Sequence, residues 1–318
     1  MADNLAQPLP PFHKIMRQAF TEIANLAFKP AVESLPATLF HYTSSAGLLG
    51  IVGSGELWAT HAAHLNDSSE VTFAEERLRE CLASTKPGPG LETRFLEKLA
   101  WGTSADFTMT TLFDVYAASF CESDDLLSMW RGYGSEGYAV GFSTSSLATA
   151  AADGFESQPS WLARVLYEPS DQRAFLTNLI NGTLAVAKAV PGHIAREGLA
   201  ISEDDALDIL MGNFLSSVVP FLCFIKHPGF REERECRVVQ VGWTIANYPE
   251  GIHLRAGPAG LVPYVRLHPR GASRFELTSV RVGPSGAPEI AKRAAERLLG
   301  RHGETNCPVT VSTIPLRA

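Results

Sequence analysis

Apolar and polar positions follow two rhythms along this chain, and the changes of rhythm mark its elements. Residues 38–43 (Thr-Leu-Phe-His-Tyr-Thr) are β-branched and aromatic and predict a strand. Ser44 and Ser45 then cap a helix carried by Leu48, Leu49, Ile51 and Val52, which Gly53 and Gly55 stop. A short strand follows at 56–60. Asn66 and Asp67, with Glu70 behind them, open a helix through Phe73, Leu78 and Leu82. The Pro-Gly run at 86–90 is a loop, and a helix is expected at 92–99. Strands are expected at 115–121, 137–143 and 163–168. Between the first two, Ser123 or Asp124 caps a short helix at 125–131.

From 170 to 222 the period changes to three and four: Phe175, Leu179, Leu184 and Ala187, then Ala206, Ile209, Leu210, Phe214 and Val218. This predicts an inserted pair of helices divided near Pro191-Gly192. Strands return at 235–241, 261–267 and 275–282. A helix at 288–299 and a last strand at 308–315 end the pattern. Residues 1–37 read as an N-terminal arm with a helical stripe at Ile15, Ala19, Ile23 and Leu26, and residues 38–318 as a single domain. The class is α+β, with a central mixed or antiparallel sheet, because strands and helices do not alternate regularly enough for a doubly wound fold. Gly132, Gly134 and Gly137 match the letters of a dinucleotide fingerprint, but a helix precedes them and a strand follows, the reverse of the required order.

Composition changes this picture little. The chain has 318 residues, 45% hydrophobic and 19% charged, a globular balance. No uninterrupted apolar run reaches the ~18 residues that span a bilayer, so no membrane partner is expected. The net charge of −7 argues against a nucleic-acid coat protein. Charge is uneven, however: residues 251–318 hold ten basic side chains, nine of them Arg, against four acidic ones. A cationic face there can attract a phosphate-bearing ligand, and a basic helix on an acidic body gives the same count. Five scattered cysteines form neither a CxxC pair nor a disulfide framework, which fits a reducing cytoplasm.

Several motifs carry a resemblance. His41-Tyr-Thr43, Asn66-Asp67 with Glu70, Ser119-Phe-Cys-Glu122, Met129-Trp130 with Tyr133, Gly141-Phe142, and Glu233, Glu235 and Arg237 together resemble a bacterial family catalogued as a domain of unknown function, over residues 38–315. The opening, a histidine near a strand end, then Thr-Ser, a short helix and Gly-x-Leu, resembles the ADP-ribosyltransferase fold. That resemblance implies NAD as substrate, a sheet core of that fold and cleavage of the nicotinamide–ribose bond. Such cleavage passes through an oxocarbenium-like state that needs a carboxylate, a ribose-holding residue and a stacking aromatic. The resemblance makes His41 the ribose-holding residue and Glu235 the catalytic carboxylate. Glu233 is assigned to orienting the acceptor or to pairing with Arg. Tyr42, Trp130, Tyr133 and Tyr138 are all chemically able to stack, and spacing does not choose among them; Thr43 belongs to the same cofactor-binding run.

Each assignment has a competitor. His41 can be a hydrogen-bonded structural histidine. Trp130 and Tyr133, three apart on a helix, can be core. Glu233 and Glu235 lie among Arg231, Arg234 and Arg237, and an ion-paired strand gives the same letters. His61 and His64 with Asp67 and Glu70 do not form a recognised zinc spacing, and no metal is expected. Cys223, His227 and Cys236 lack an orienting partner for a nucleophile. Three functions remain: an NAD-dependent ADP-ribosyltransferase with an unknown acceptor (protein, nucleic acid or small molecule), an NAD glycohydrolase, and a catalytically silent binding module in a bacterial defence or stress system. The enzyme readings expect His41 and Glu235 to share one cleft.

Overall fold

A computed structural model describes residues 18–19, 22–23, 25–29, 31, 35–65, 69–104, 114–133, 137–153, 160–242, 251–257, 260–269, 272 and 274–315. Ile15, Asn66, Asp67 and Gly134, named above, lie outside the described residues. The architecture is α+β with a mixed, open sheet. The described residues gather into two compact units: one drawn from 1–30, 69–113 and 166–225, the other from 31–68, 114–165 and 226–318.

The second unit carries the sheet. Its strands are β1 (Thr38–Thr43), β2 (Leu57–His61), β3 (Val115–Cys121), β4 (Tyr138–Ser143), β5 (Ser160–Arg164), β6 (Glu235–Val241), β7 (His253–Gly257), β8 (Gly260–Leu267), β9 (Leu277–Val282) and β10 (Val309–Val311). The main path runs β10-β9-β4-β1-β3-β2-β8-β7, with β6 paired to β3 and β5 to β6. Every named pair is antiparallel except β10 with β9. Side chains alternate across this sheet. Leu39, Phe120, Val140, Phe142, Val238 and Leu267 build a core on one face with the helices Ser45–Ser54, Thr144–Asp153 and Pro288–Arg301. On the other face Tyr42, Cys121 and Ala139 meet Met129 and Trp130 of the short helix Leu127–Tyr133.

The other unit is helical: Ser69–Ser84, Leu91–Gly102, Pro169–Glu197 and Glu203–Leu222. The helices expected as an insertion thus gather with two that precede β3. The expected division at Pro191 is not where the chain breaks. The helix runs on to Gly198, whose left-handed conformation (φ 60°) terminates it, and Ser202 caps the next by accepting from the Asp205 N–H. Glu203, Asp204 and Asp208 pair with Arg94 and Lys98 on the solvent side. Exposed pairs of this kind each add little, so burial must hold the unit. Phe28 sits in an aromatic cluster with Phe175, Phe221 and Phe224, whereas Leu26, expected on the buried stripe, is 72% exposed. The helix Glu203–Leu222 is long and apolar enough by length and composition to cross a membrane, yet more than half of its apolar window is buried within the protein.

The remaining differences are of extent. The helix Thr144–Asp153 and strand β7 were not anticipated, and β10 is shorter than the expected 308–315.

Gly283 fixes how the strand end after β9 passes Trp130. Its N–H donates to the Gly137 carbonyl, and a Cβ there would lie 2.9 Å from the Trp130 ring and 3.1 Å from the Gly137 oxygen. Neither the fully buried ring nor the backbone can yield, so Gly283→Ala is expected to cost about 1–3 kcal/mol in urea unfolding. Gly212, mid-helix with open space around it, is the contrast: Gly212→Ala should gain about 0.5–1 kcal/mol. Equal midpoints for the two variants would contradict this packing.

Candidate functional site

Strand β3 has two edges and three claimants. β6 pairs with one edge along the whole strand, from Val115↔Val241 to Cys121↔Glu235. The other edge is divided. β1 meets it only at Phe40↔Cys121, and β2 only at Thr60↔Ala117 and His61↔Tyr116. Between these contacts the edge is met by a side chain: His41 Nδ1 lies 2.9 Å from the Ser119 carbonyl. A carbonyl only accepts, so Nδ1 carries the proton and Nε2 keeps its lone pair. Burial lowers the His41 pKa, and the bond to Ser119 opposes this only in part, so the ring is neutral at pH 7.

Where β1 and β2 part, a cavity of about 430 Å³ opens. His41, Thr43, Ser44 and Gly47 form one wall, Glu56, Trp58 and Thr60 another, and Arg255 of β7 joins them. Ser44 caps the helix Ser45–Ser54 by accepting from the Gly47 N–H. The Thr43 hydroxyl lies 1.9 Å from where a Cβ on residue 47 would be, so only glycine lets that first turn close on Thr43. Arg255 Nη2 donates to Thr60 Oγ1 at 3.1 Å. Trp58, 45% exposed, stacks on Tyr264 with ring centroids 4.3 Å apart. The cavity therefore presents a helix N-terminus, a guanidinium, a carboxylate, a neutral imidazole and an indole face.

Glu235 lies elsewhere. A turn at Pro228–Glu233 ends in Arg234, which is left-handed at φ 45°, and brings both glutamates to Lys226. Lys226 Nζ is 2.7 Å from Glu233 and 3.0 Å from Glu235. Arg237 binds Glu235 through Nε at 2.6 Å and Nη2 at 2.9 Å, a two-pronged grip on its carboxylate. Lys226, Glu235 and Arg237 are all buried. Burial alone would raise the Glu235 carboxyl; the charges of Arg237 and Lys226, with hydrogen bonds from Arg237 and Ser119, overcome it and hold the pKa at about 2.

The register places only part of the cavity away from this cluster: Thr60 pairs with Ala117, so Glu56, Trp58 and Thr60 share the face of Ser119, Cys121 and Glu235. Phe40, Cys121 and Glu235 are paired across β1, β3 and β6 and so share a face; His41, next to Phe40, faces the other way. The structure thus brings His41 and Thr43 to the cavity and does not bring Glu233, Glu235, Tyr42, Trp130 or Tyr133 among its described lining residues. His41 and Glu235, expected in one cleft, are linked through Ser119, whose carbonyl accepts from His41 and whose side chain bonds Glu235, while Lys226 and Arg237 already hold the Glu235 carboxylate. Tyr42 is structural: its hydroxyl donates to the Ser123 carbonyl and accepts from the Leu126 N–H. Trp130 is fully buried, edge-on to Tyr42, with its Nε1–H donating to Asp125; Tyr133 packs against the same group. His61 lies 3.3 Å from Asp114 and closes a tight turn by accepting from the Ala63 N–H. The five cysteines are buried and form no disulfide, and burial pushes Cys121 up to about 11 and Cys236 higher still, so neither is a ready thiolate.

Sequence reading missed Glu56, Trp58, Thr60 and Arg255. The signal for three of them was present: positions 56, 58 and 60 share one side of a strand whose other side is the buried Leu57 and Ala59.

The family described as protein of unknown function (DUF2971) matches residues 129–238, a span that holds Trp130, Tyr133, Glu233, Glu235 and Arg237 but neither wall of the cavity. No curated protein and no solved structure matches the chain.

The two polar centres respond differently to pH. Glu235 titrates near 2 when folded against about 4.5 ordinarily, so its contribution is present above pH 4.5 and is lost as pH falls from there toward 2. Glu235→Gln should abolish that part of the acid slope and cost about 3–5 kcal/mol, since Lys226 and Arg237 are left short of a charge. An unchanged urea midpoint would contradict the cluster's role. His41 acts in a higher window. Its folded pKa lies below 6.5, so stability falls as pH drops below 6.5, where the unfolded chain takes up a proton that the native one resists. His41→Gln should flatten the stability profile just below pH 6.5, read by denaturant titrations at stepped pH.

Proposed function

We propose that the cavity between β1 and β2 binds NAD, and that the protein is an NAD-binding domain on an ADP-ribosyltransferase-like fold. One observation carries the reading. His41 stands at the divided edge of β3 with Nδ1 committed to Ser119, which leaves Nε2 as an acceptor for a ligand hydroxyl. This is the ribose-holding role that the resemblance implies for that histidine. The rest of the lining supports it. The helix Ser45–Ser54 directs its N-terminal end, and Arg255 its guanidinium, toward a site that suits a pyrophosphate. Trp58 offers a flat face to a base or to nicotinamide. The volume of about 430 Å³ falls in the ordinary range for small-molecule sites. Buried cysteines without a disulfide fit the reducing cytoplasm.

The chemistry follows from what surrounds the ligand. Glu235 is held in an ion cluster by Lys226 and Arg237 and takes no part in this reading. The function favoured is therefore binding, the module reading, with no acceptor required.

Calorimetric titration with NAD tests this. Binding is expected, and His41→Ala and Arg255→Ala should each weaken it about 10–100-fold, the loss of a hydrogen bond to or from a charged or polar ligand group. Absence of binding at millimolar NAD, or equal affinity in both variants and the parent, would overturn it.

A further inference from the structure

We infer that Glu56 makes the cavity select nucleotides with an unphosphorylated ribose, NAD or ADP-ribose, over their 2′-phosphorylated counterparts such as NADP. The inference rests on the NAD-binding reading and adds its specificity. Two groups in the cavity can only accept: the Glu56 carboxylate and His41 Nε2. They need a ligand that donates, and a ribose diol does so through two hydroxyls. Glu56 is only loosely engaged by the described residues. Among them its ion pair, to Arg266 Nε, is 3.7 Å long, beyond hydrogen-bond range, and Arg266 is itself 43% exposed.

The wall made by β2 sets the order of contacts. Glu56 precedes the strand, Trp58 is in its middle, and Thr60, which holds Arg255, is near its end. Four residues of strand span roughly 13 Å. The guanidinium anchored at Thr60 is thus well removed from the carboxylate at Glu56. A ribose beside Glu56 leaves room for pyrophosphate toward Arg255. A phosphate on that ribose would instead set a charge of about −1.5 to −2 against a carboxylate, with Arg255 too distant to offset it and Arg266 already paired loosely with Glu56. Repulsion of this kind is how a site rejects a near-identical ligand.

The experiment is paired titration of the folded full chain with NAD and NADP at fixed, low ionic strength. NAD is expected to bind about 10–100-fold more tightly than NADP. Glu56→Gln should narrow that ratio several-fold, mainly by improving NADP, and Arg266→Ala should leave it intact or widen it. NADP binding as well as NAD, or a ratio unmoved in Glu56→Gln, would overturn the inference while the dinucleotide reading stands. If neither dinucleotide binds, the reading itself fails and the inference with it.

Discussion

Edge sharing on β3 governs the functional half of this molecule. A strand offers two rows of backbone groups, and each row must be met. β6 takes one row whole. β1 and β2 divide the other, each touching one end, and the His41 imidazole meets the Ser119 carbonyl between them. Two strands that begin side by side on one edge must diverge, and divergence opens a cavity without breaking the core. Leu39, Leu57, Ala59 and Phe120 still pack on the covered face. The same constraint fixes the tautomer of His41, so a structural requirement and a chemical capacity rest on one hydrogen bond.

Two polar centres with opposite characters then stand at the two edges of β3. Lys226, Glu235 and Arg237 neutralise one another at short range away from water, with Glu233 joining them from the partly exposed side. Their partners are already in place, which is the condition under which buried charges are tolerable. Such a cluster secures the entry of β6, where the strained Arg234 turns the chain. In the cavity, by contrast, Glu56, Arg255 and Trp58 hold only loose or partial contacts and remain partly accessible to solvent. Groups held in place but incompletely satisfied are what a ligand site requires.

Much of the fold could be read from the letters. β1, β3 and β6 lie where β-branched and aromatic runs put them, and the helices around 170–222 follow their three-four period. Pro191 misled, because a helix tolerates proline on an exposed turn and its true stop was the left-handed Gly198. The site was legible only in part. His41 and Thr43 were marked by their motif, whereas the resemblance made Glu235 catalytic and the neighbouring arginines left an ion-paired strand equally open. Lys226 lies nine positions before Glu235 and answers it and Glu233 only after the 228–233 turn folds. Arg255 was invisible for a similar reason: β7 reaches the cavity through its pairing with β8, and no local pattern records that neighbour.

Hydrogen exchange read by mass spectrometry, with and without saturating NAD, addresses the central claim most directly. The account predicts slowed exchange in 43–60 and 253–257, the walls where β1 and β2 part, with 233–239 unchanged because its bonds are complete before any ligand arrives. Protection centred on 228–237 and absent from 43–60 would contradict it and return the function to Glu235 and its neighbours.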